Sequence, residues 1–370
     1  MTAVVVSGAI ANKLRNGGEA WVRLSWARGL RRLGFDVWLV EQLPAAAPAA
    51  ERYFTDVVRA FGFEGRAALL AGAAPRSVGV PYRDLLDVAA EARLLVNISG
   101  HLTRAPLLAR LRRRAYVDLD PGYTQLWPGA ARLAGHDLHF TIAENLGRGD
   151  CTLPSAGVRW RAVRQPVVLD DWPVAPARAP RRFTTVASWR HPFGRLRHGA
   201  RTYGIKLDEF RKVVELPARC AEPFELALDI HPDERPDLEL LRRHRWRVVD
   251  APARLGDPEA FRRYVQASGA EFSVAQGVYV ETRSGWFSDR TTRYLASGKP
   301  ALVQDTGFAR TLPVGEGLVA FRTLDEAVAG AEAIASEPER HAAAARRIAE
   351  EHFDADRVLA RFADDCGVAP

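Results

Sequence analysis

Short apolar runs rich in valine, isoleucine and leucine alternate with stretches of helical period along almost the whole chain, and that alternation leaves few folds open. Ala3–Ser7 is a β-branched run that stops at Gly8. After a polar loop over residues 12–18, Trp21, Leu24, Ala27 and Leu30 recur at helical spacing, with Gly34 where a helix stops. Residues 35–40 form the next expected strand, ending at Glu41. Strand, glycine-containing loop, helix, strand is a βαβ unit, and its crossover is right-handed. The rhythm continues with helices expected over 47–62, 83–92 and 107–114, and strands over 94–98, 115–119 and 138–143. Strands connected in this way run parallel and are covered on both faces, so they are apolar throughout.

Residues 165–182 break the pattern. Pro166, Pro173, Pro176 and Pro180 fall there with no apolar period, as in an interdomain linker. A second alternation follows, with strands expected over 183–187, 224–230, 246–249, 270–273, 300–304 and 317–321. An alanine-rich helix over 338–353 and a final helix over 358–365 close the chain. The 370 residues suffice for two domains, each with its own core. The expected fold class is α/β, with two Rossmann-like domains facing a cleft. Residues 1–165 form the first, 166–182 the linker, 183–350 the second, and 351–370 a C-terminal helix.

Composition excludes several classes. The net charge of +7 would by itself suggest a nucleic-acid partner. Yet of 52 basic residues four are lysine (Lys13, Lys206, Lys212 and Lys299), an arginine bias of the kind GC-rich coding produces, and the arginines are scattered among acids without a basic tail. No nucleic-acid partner is expected. Three cysteines without paired spacing fit a reducing compartment and form no zinc pattern. The first residues lack the basic start of a signal peptide, and no apolar run approaches the ~20 residues of a membrane helix. The expectation is a cytoplasmic protein without integral membrane contact, of unknown oligomeric state.

In open α/β sheets, ligands bind beyond the carboxyl ends of the strands. That rule selects loops around residues 8–18, 99–103, 118–123, 144–147, 188–204, 229–232, 283–291 and 304–308, where most of the unusual polar sequence falls. The richest is Ser284-Gly-Trp-Phe-Ser-Asp-Arg-Thr-Thr-Arg-Tyr-Leu-Ala-Ser-Gly-Lys-Pro300. Ser288 or Asp289 suits the N-cap of a helix, and backbone N–H groups at such a start favour a phosphate. Ser288, Asp289, Arg290 and Thr291 are therefore candidate donor contacts.

This stretch carries a family resemblance. A small residue followed by Gly298-Lys299-Pro300 and an apolar strand resembles the donor-binding domain of GT-B glycosyltransferases. Gly285-Trp-Phe-Ser-Asp-Arg290 with Tyr294-Leu-Ala-Ser-Gly-Lys-Pro300 is similar to a bacterial subgroup called family 1-type glycosyltransferases. Gly17-Gly18, and Gly29-Leu30 through Phe35-Asp36-Val37, resemble the acceptor domain of the same fold. The resemblance implies transfer of a sugar from a nucleoside diphosphate sugar, a co-substrate, to a small-molecule or cell-envelope acceptor. It implies no metal and no further cofactor, a donor held by residues 183–345, and a last helix that crosses back to the first domain. Related retaining enzymes place a ribose-binding glutamate where this chain has Arg293; a carboxylate stands one helical turn earlier, at Asp289.

The resemblance also points to Ser188, Arg190 and Lys206 as groups facing the leaving diphosphate, where fixed cations stabilise developing charge. His231, at a strand end, is a further diphosphate candidate. His101 follows a strand and can take an acceptor proton, hydrogen-bond a sugar hydroxyl, or serve as a loop histidine. Asp120 is a second candidate base, or a turn former before Pro121-Gly122. Asp118-Leu-Asp120 ends a strand in the first domain and is not read as a metal-binding pair. Asn16, Gly17, Gly18, Gln125, Glu144 and Asn145 are expected on the acceptor side. Two alternatives remain: a catalytically silent binding protein of the same fold, and a nicotinamide enzyme. The second would use Glu41 as its ribose acid, though the 16–18 loop lacks the full dinucleotide fingerprint.

Overall fold

The run Ala3–Ser7 forms a strand, β1, whose three valines are at most 2% exposed. It pairs in parallel with β2 (Asp36–Leu43) on one side. The chain then builds β3 (Ala67–Ala71), β4 (Arg76–Gly79), β5 (Leu94–Ile98), β6 (Arg114–Asp118), β7 (Leu138–Thr141) and β8 (Trp160–Ala162). Among the described residues the sheet order is β4-β3-β2-β1-β5-β6-β7-β8, parallel except for the antiparallel β3–β4 pair. These coordinates are a computed structural model that describes residues 1–45, 47–72, 76–176, 181–190 and 192–370.

The chain divides into two units. The first comprises Met1–Ile142, Ser155–Val168 and Asp354–Pro370; the second comprises Ala143–Pro154 and Leu169–Phe353. Sequence order alone assigns Ala143–Pro154 to the first half, but that segment clusters with the second unit.

In the first unit the helix Gly17–Arg32 is started by Asn16, whose Oδ1 accepts the Glu19 N–H at 3.1 Å, and stops before Gly34 at φ +96°. One face buries Trp21, Leu24 and Leu30. Another receives the final helix, Ala355–Cys366, which belongs to this unit as the resemblance implies. Trp26 meets Phe362 edge-on at 5.0 Å, and a Cβ on Gly29 would lie 2.4 Å from Leu359 Cδ1. Gly29 is thus the gap into which Leu359 fits. The segment that re-enters this unit pairs with the one that leaves it, since the Ala355 N–H donates to the Val167 carbonyl at 2.9 Å.

The second unit contains β9 (Phe183–Ser188), the antiparallel hairpin β10 (Leu196–His198) and β11 (Arg201–Tyr203), β12 (Phe224–Asp229), β13 (Arg247–Asp250), β14 (Ala270–Ser273), β15 (Ala301–Gln304) and β16 (Leu318–Phe321). Its main sheet is parallel, in the order β13-β12-β9-β14-β15-β16. Numbered within the unit, that is the doubly wound 3-2-1-4-5-6 arrangement. Phe183, Phe224, Trp246, Phe272 and Phe321 form its aromatic core, with Phe183–Phe224 and Phe272–Phe321 stacked at 4.9 and 5.4 Å. Both sheets therefore have the Rossmann-like order expected from the alternation. Part of the proline-rich segment, residues 177–180, lies outside the described residues.

Leu359 is fully buried. Leu359→Ala is expected to destabilise the first unit by about 2–5 kcal/mol, the cost of a cavity left at a packed helix contact. A urea titration followed by tryptophan fluorescence should show the midpoint falling. An unchanged midpoint would mean that the final helix does not support the unit.

Candidate functional site

In the second unit the strand order reverses at β9, which lies between β12 and β14. Its ladder with β12 runs from Phe183 to Ser188, but its ladder with β14 ends at Thr184 and Glu271. Beyond that point β9 and β14 part, which opens a crevice at their carboxyl ends, the place where such sheets take ligands.

Three loops meet at this crevice. After β9, Trp189 turns inward: its indole N–H donates to Asp237 at 2.8 Å and its backbone N–H to the Asp229 carbonyl at 2.9 Å. Ser188 and Arg190 on either side stay exposed. Arg190 pairs with Glu234 at 2.8 Å, and this guanidinium holds the partly buried Glu234 carboxyl below its usual range. After the hairpin, Lys206 begins the helix Lys206–Arg211, and its backbone N–H donates to Gln276 Oε1 at 2.6 Å. Gln276 follows β14, so this bond brings Lys206 to the carboxyl end of β14. A Cβ on Gly277 would lie 2.7 Å from the Gly204 carbonyl oxygen, so the two loops touch backbone to backbone. Behind them Gln304 donates to the buried Glu209 at 2.8 Å and accepts the Ala275 N–H at 3.1 Å.

The third element is the helix Asp289–Ala296, capped by Ser288, whose Oγ accepts the Arg290 N–H at 3.2 Å. Arg290 places it. Nε donates to Glu271 at 2.6 Å, Nη1 to the Val186 carbonyl at 2.7 Å and Nη2 to Ser273 Oγ at 2.7 Å. The side chain spans the parting of β9 and β14. With all three nitrogens engaged inside, Arg290 is a structural tie and not the diphosphate contact expected from sequence. Thr291 is fully buried and likewise faces the interior, because it occupies the inward side of the first turn. Asp289 stays partly exposed, with Oδ2 accepting from Arg293 at 2.7 Å. Arg293 is itself buried, 5.9 Å from the Trp172 ring centroid. His231, beyond β12, is exposed and lies 3.4 Å from Asp233. Ser188, the Lys206 backbone and the start of the Ser288-capped helix thus stand at the carboxyl ends of β9 and β14, with Ser288 itself buried, while Arg190 and His231 stand at the β12 side.

The first unit has its own reversal, between β1 and β5. Glu41, at the end region of β2, accepts the N–H groups of Ile10, Ala11 and Asn12 at 2.9, 2.8 and 2.7 Å. That carboxylate is committed to the loop and is not placed to bind a ribose, which removes the acid that the nicotinamide alternative needs. Asn16, Gly17 and Gly18 form the cap and first turn of the helix above this loop. His101 follows β5 after a turn in which Ser99 and Gly100 have φ +54° and +64°. Burial, assisted by the charge of Arg23, pushes the His101 ring down to about 4. A neutral ring of this kind exchanges hydrogen bonds with hydroxyls readily but is a weak proton acceptor.

Asp118 is buried and accepts from Thr124 Oγ1 (2.6 Å), Thr141 Oγ1 (2.7 Å), Gln125 Nε2 (2.9 Å) and the Asp120 N–H (3.0 Å). Gln125 also accepts the Gly122 N–H at 2.6 Å, so its amide is engaged at both ends and it shapes the loop instead of facing an acceptor. Asp120 remains half-buried at the start of this turn. Asn145 corrects a second acceptor-side expectation. It lies in the second unit, donating to the Arg283 and Gly307 carbonyls at 3.1 and 3.0 Å. A Cβ on Gly307 would lie 2.6 Å from its Nδ2, which is why that position is glycine. Glu144, its neighbour, also falls in the second unit.

Sequence reasoning missed Gln276, Glu209 and the interior role of Lys299. Lys299 donates to the Ala175 carbonyl at 2.5 Å, and burial pushes its ammonium down to about 8. The rarity of lysine in this chain was the available signal.

The His101 shift has a pH consequence. Between the ordinary 6.5 and about 4, an unfolded chain takes up a proton that the folded ring refuses. The stability of the first unit should therefore fall as pH drops through this window, and His101→Asn should flatten the slope. Urea midpoints at several pH values check this, and NMR should find the ring of His101 unprotonated near pH 6. A ring titrating with an ordinary midpoint would refute the buried assignment.

No family model and no curated protein matches the chain. Solved structures match along its length. An α-glucosyltransferase in complex with UDP aligns with a TM-score of 0.61 at 11% identity, covering 100% of both chains. The α-glucosyltransferase has also been solved with UDP-glucose and DNA containing an abasic site, at a TM-score of 0.61 and 10% identity, covering 99% of both chains. HepE of Anabaena, in complex with UDP and glucose, aligns at 0.60 and 11% identity over 99% of this chain and 100% of its own. AviGT4, a glycosyltransferase involved in avilamycin A biosynthesis, aligns at 0.57 and 13% identity over 99% and 97%. At such identities the likeness is one of fold: the chain has the two-unit α/β fold of the GT-B glycosyltransferases.

Proposed function

We propose that the protein transfers a glycosyl group from a nucleoside diphosphate sugar to a small-molecule acceptor. The observation that carries this reading is the crevice where β9 and β14 part, with the Lys206 loop on one side and the Ser288-capped helix on the other. A helix start and a fixed cation beyond the carboxyl ends of a doubly wound sheet suit a diphosphate. As the sugar bond breaks, negative charge grows on the leaving phosphate, and Lys206, with Arg190 and His231 at the rim, lowers the energy of that charge. Ser188 and Ser288 offer hydroxyls, and Asp289 offers a carboxylate oxygen for a ribose. In this reading no metal or cofactor has a role.

The acceptor lies with the first unit, against Asn16, Gly17, Gly18 and His101. The neutral His101 ring orients a hydroxyl, and Asp120 is the carboxylate that takes its proton. Because an α-glucosyltransferase has been solved in complex with DNA, DNA is the competing acceptor to exclude.

The test is a thermal-shift screen over nucleoside diphosphates, followed by assay of slow donor hydrolysis. A ligand at about one hundred times its Kd adds about 2.7 kcal/mol of stability. UDP, the nucleotide in several matched structures, is the first to try. Lys206→Ala should weaken the shift and slow hydrolysis, while His101→Asn should leave the shift intact and lower transfer. Absence of both nucleotide binding and hydrolysis would defeat the proposal; binding without hydrolysis would favour a silent binding protein. Tight, salt-sensitive retention of duplex DNA would displace the small-molecule acceptor.

A further inference from the structure

The loop after β5, which carries His101, is closed by a side-chain clasp. Asn97 is fully buried; its Oδ1 accepts the Leu102 N–H at 3.0 Å and its Nδ2 donates to the Leu102 carbonyl at 3.0 Å. Between these ends Ser99 and Gly100 hold left-handed backbone, at φ +54° and +64°, and the Ser99 N–H donates to the Val117 carbonyl of β6 at 2.8 Å. A residue with a side chain in that region is strained, and surrounding contacts must hold it there. Position 100 is glycine because a Cβ would lie 2.9 Å from Tyr116 Cε2.

The clasp fixes the state of a second histidine. The Leu102 N–H needs an acceptor, so the orientation of the Asn97 amide is settled and Nδ2 carries two hydrogens. One goes to the Leu102 carbonyl. Nδ2 also lies 3.0 Å from His136 Nε2, which must then be the acceptor. The proton of the neutral ring is therefore on Nδ1, which donates to the Leu133 carbonyl at 3.2 Å. His139 Nε2 lies 3.0 Å from the same carbonyl. The titratable and charged groups around the ring are His139 on β7, Tyr116 and Arg114 on β6, and Asp137 beside it. Burial, with the charges of His139 and Arg114, holds the ring below the ordinary imidazole range against the Leu133 carbonyl and Asp137. A proton on Nε2 would set one N–H against another and turn the contact with Asn97 into a repulsion.

We propose that His136 is a positioning residue of the acceptor loop: its neutral ring accepts from Asn97 and so holds the backbone that presents His101, and protonation of the ring releases it. The inference rests on the reading that the acceptor lies against His101.

The experiment uses the full chain. NMR of nitrogen-labelled histidine reads the tautomer, and His136 should carry its proton on Nδ1 at neutral pH. Hydrogen exchange reads the clasp: protection of the Leu102 N–H should fall about tenfold as His136 titrates, the scale of one buried hydrogen bond. His136→Gln, whose amide oxygen accepts from Asn97 but takes no proton, should keep that protection in acid, whereas His136→Phe should lack it at neutral pH too. Slow hydrolysis of UDP-glucose, with water as the acceptor, reads the consequence. His136→Phe should slow it about tenfold, again the scale of one hydrogen bond, with the affinity for UDP unchanged, and His136→Gln should recover part of the loss. The wild-type pH profile should show an acid-side step that His136→Gln lacks, and repeating it in His101→Asn separates the titration of His101 itself. A proton on Nε2, Leu102 protection that does not follow His136, or an acid-side step that persists in His136→Gln would each overturn the proposal. If the wild type neither binds UDP nor hydrolyses UDP-glucose, the donor reading falls, and the tautomer with Leu102 protection still decides whether the latch exists.

Discussion

The crevice between β9 and β14 depends on one largely buried arginine, Arg290. β9 and β14 separate after a short shared ladder, and parting strands in the middle of a sheet leave backbone groups unpaired. Arg290 fills that parting with hydrogen bonds to β9, to β14 and to Glu271, which is fully buried. Because it is the second residue of its helix, the same bonds fix where the helix begins. Breaking a buried ion pair by removing one partner costs about 3–5 kcal/mol, since the remaining charge is stranded. The crevice can therefore stay open as a binding feature without becoming a defect in the sheet.

The first unit solves a similar problem with carboxylates. Glu41 gathers three consecutive backbone amides of the loop after β1, and Asp118 gathers two hydroxyls, an amide group and a backbone N–H after β6. In the second unit Asp305 accepts the Gly307 N–H at 2.8 Å and pairs with Arg322 at 2.7 Å. Acids at strand ends are thus architectural in this chain. A carboxylate accepts several hydrogen bonds at once, which suits it to hold a loop that has left the ladder. The groups left to meet ligands at these edges are chiefly cations, hydroxyls and helix starts.

This division explains what was legible in the sequence. Alternating periods exposed both sheets and the closing helix, because burial on two faces demands continuous apolar runs. β3 escaped notice: Ala67–Ala71 reads AALLA, without a β-branched residue, and its strand identity comes from the neighbours that cover it. The site was legible as a set of loops but not as a set of directions. Ser288, Asp289, Arg290 and Thr291 are adjacent in sequence, yet a helix turns about a hundred degrees per residue, so Asp289 stays partly exposed while Ser288 and Thr291 are buried and Arg290 is tied inside. Gln125 and Asn145 look like ligand contacts by type, and only the fold shows their amides engaged by protein groups. Lys206 stood out because lysine is rare here, and the structure adds that its backbone is fastened to the loop after β14.

Scarcity of lysine also bears on the linker. A proline-rich segment lacks N–H donors and cannot join a ladder, but its carbonyls still need partners. Those of Asp171, Trp172, Pro173 and Ala175 are met by Arg262, Arg346, Gln266 and Lys299 of the second unit, at 3.2, 3.0, 3.2 and 2.5 Å. The part of the linker that sequence composition marks as structureless is therefore fastened to one unit by side chains. Lys299 stands out among these donors, since an arginine would bring a wider guanidinium to a place that accepts a single bond to one carbonyl. An ammonium buried against a neutral carbonyl loses solvation without gaining a counter-charge, and its lowered pKa expresses that loss. The family resemblance rests partly on this same lysine, in Gly298-Lys299-Pro300. In this protein it holds the segment at Ala175 to the second unit, so the motif that signals the fold from sequence performs a structural task.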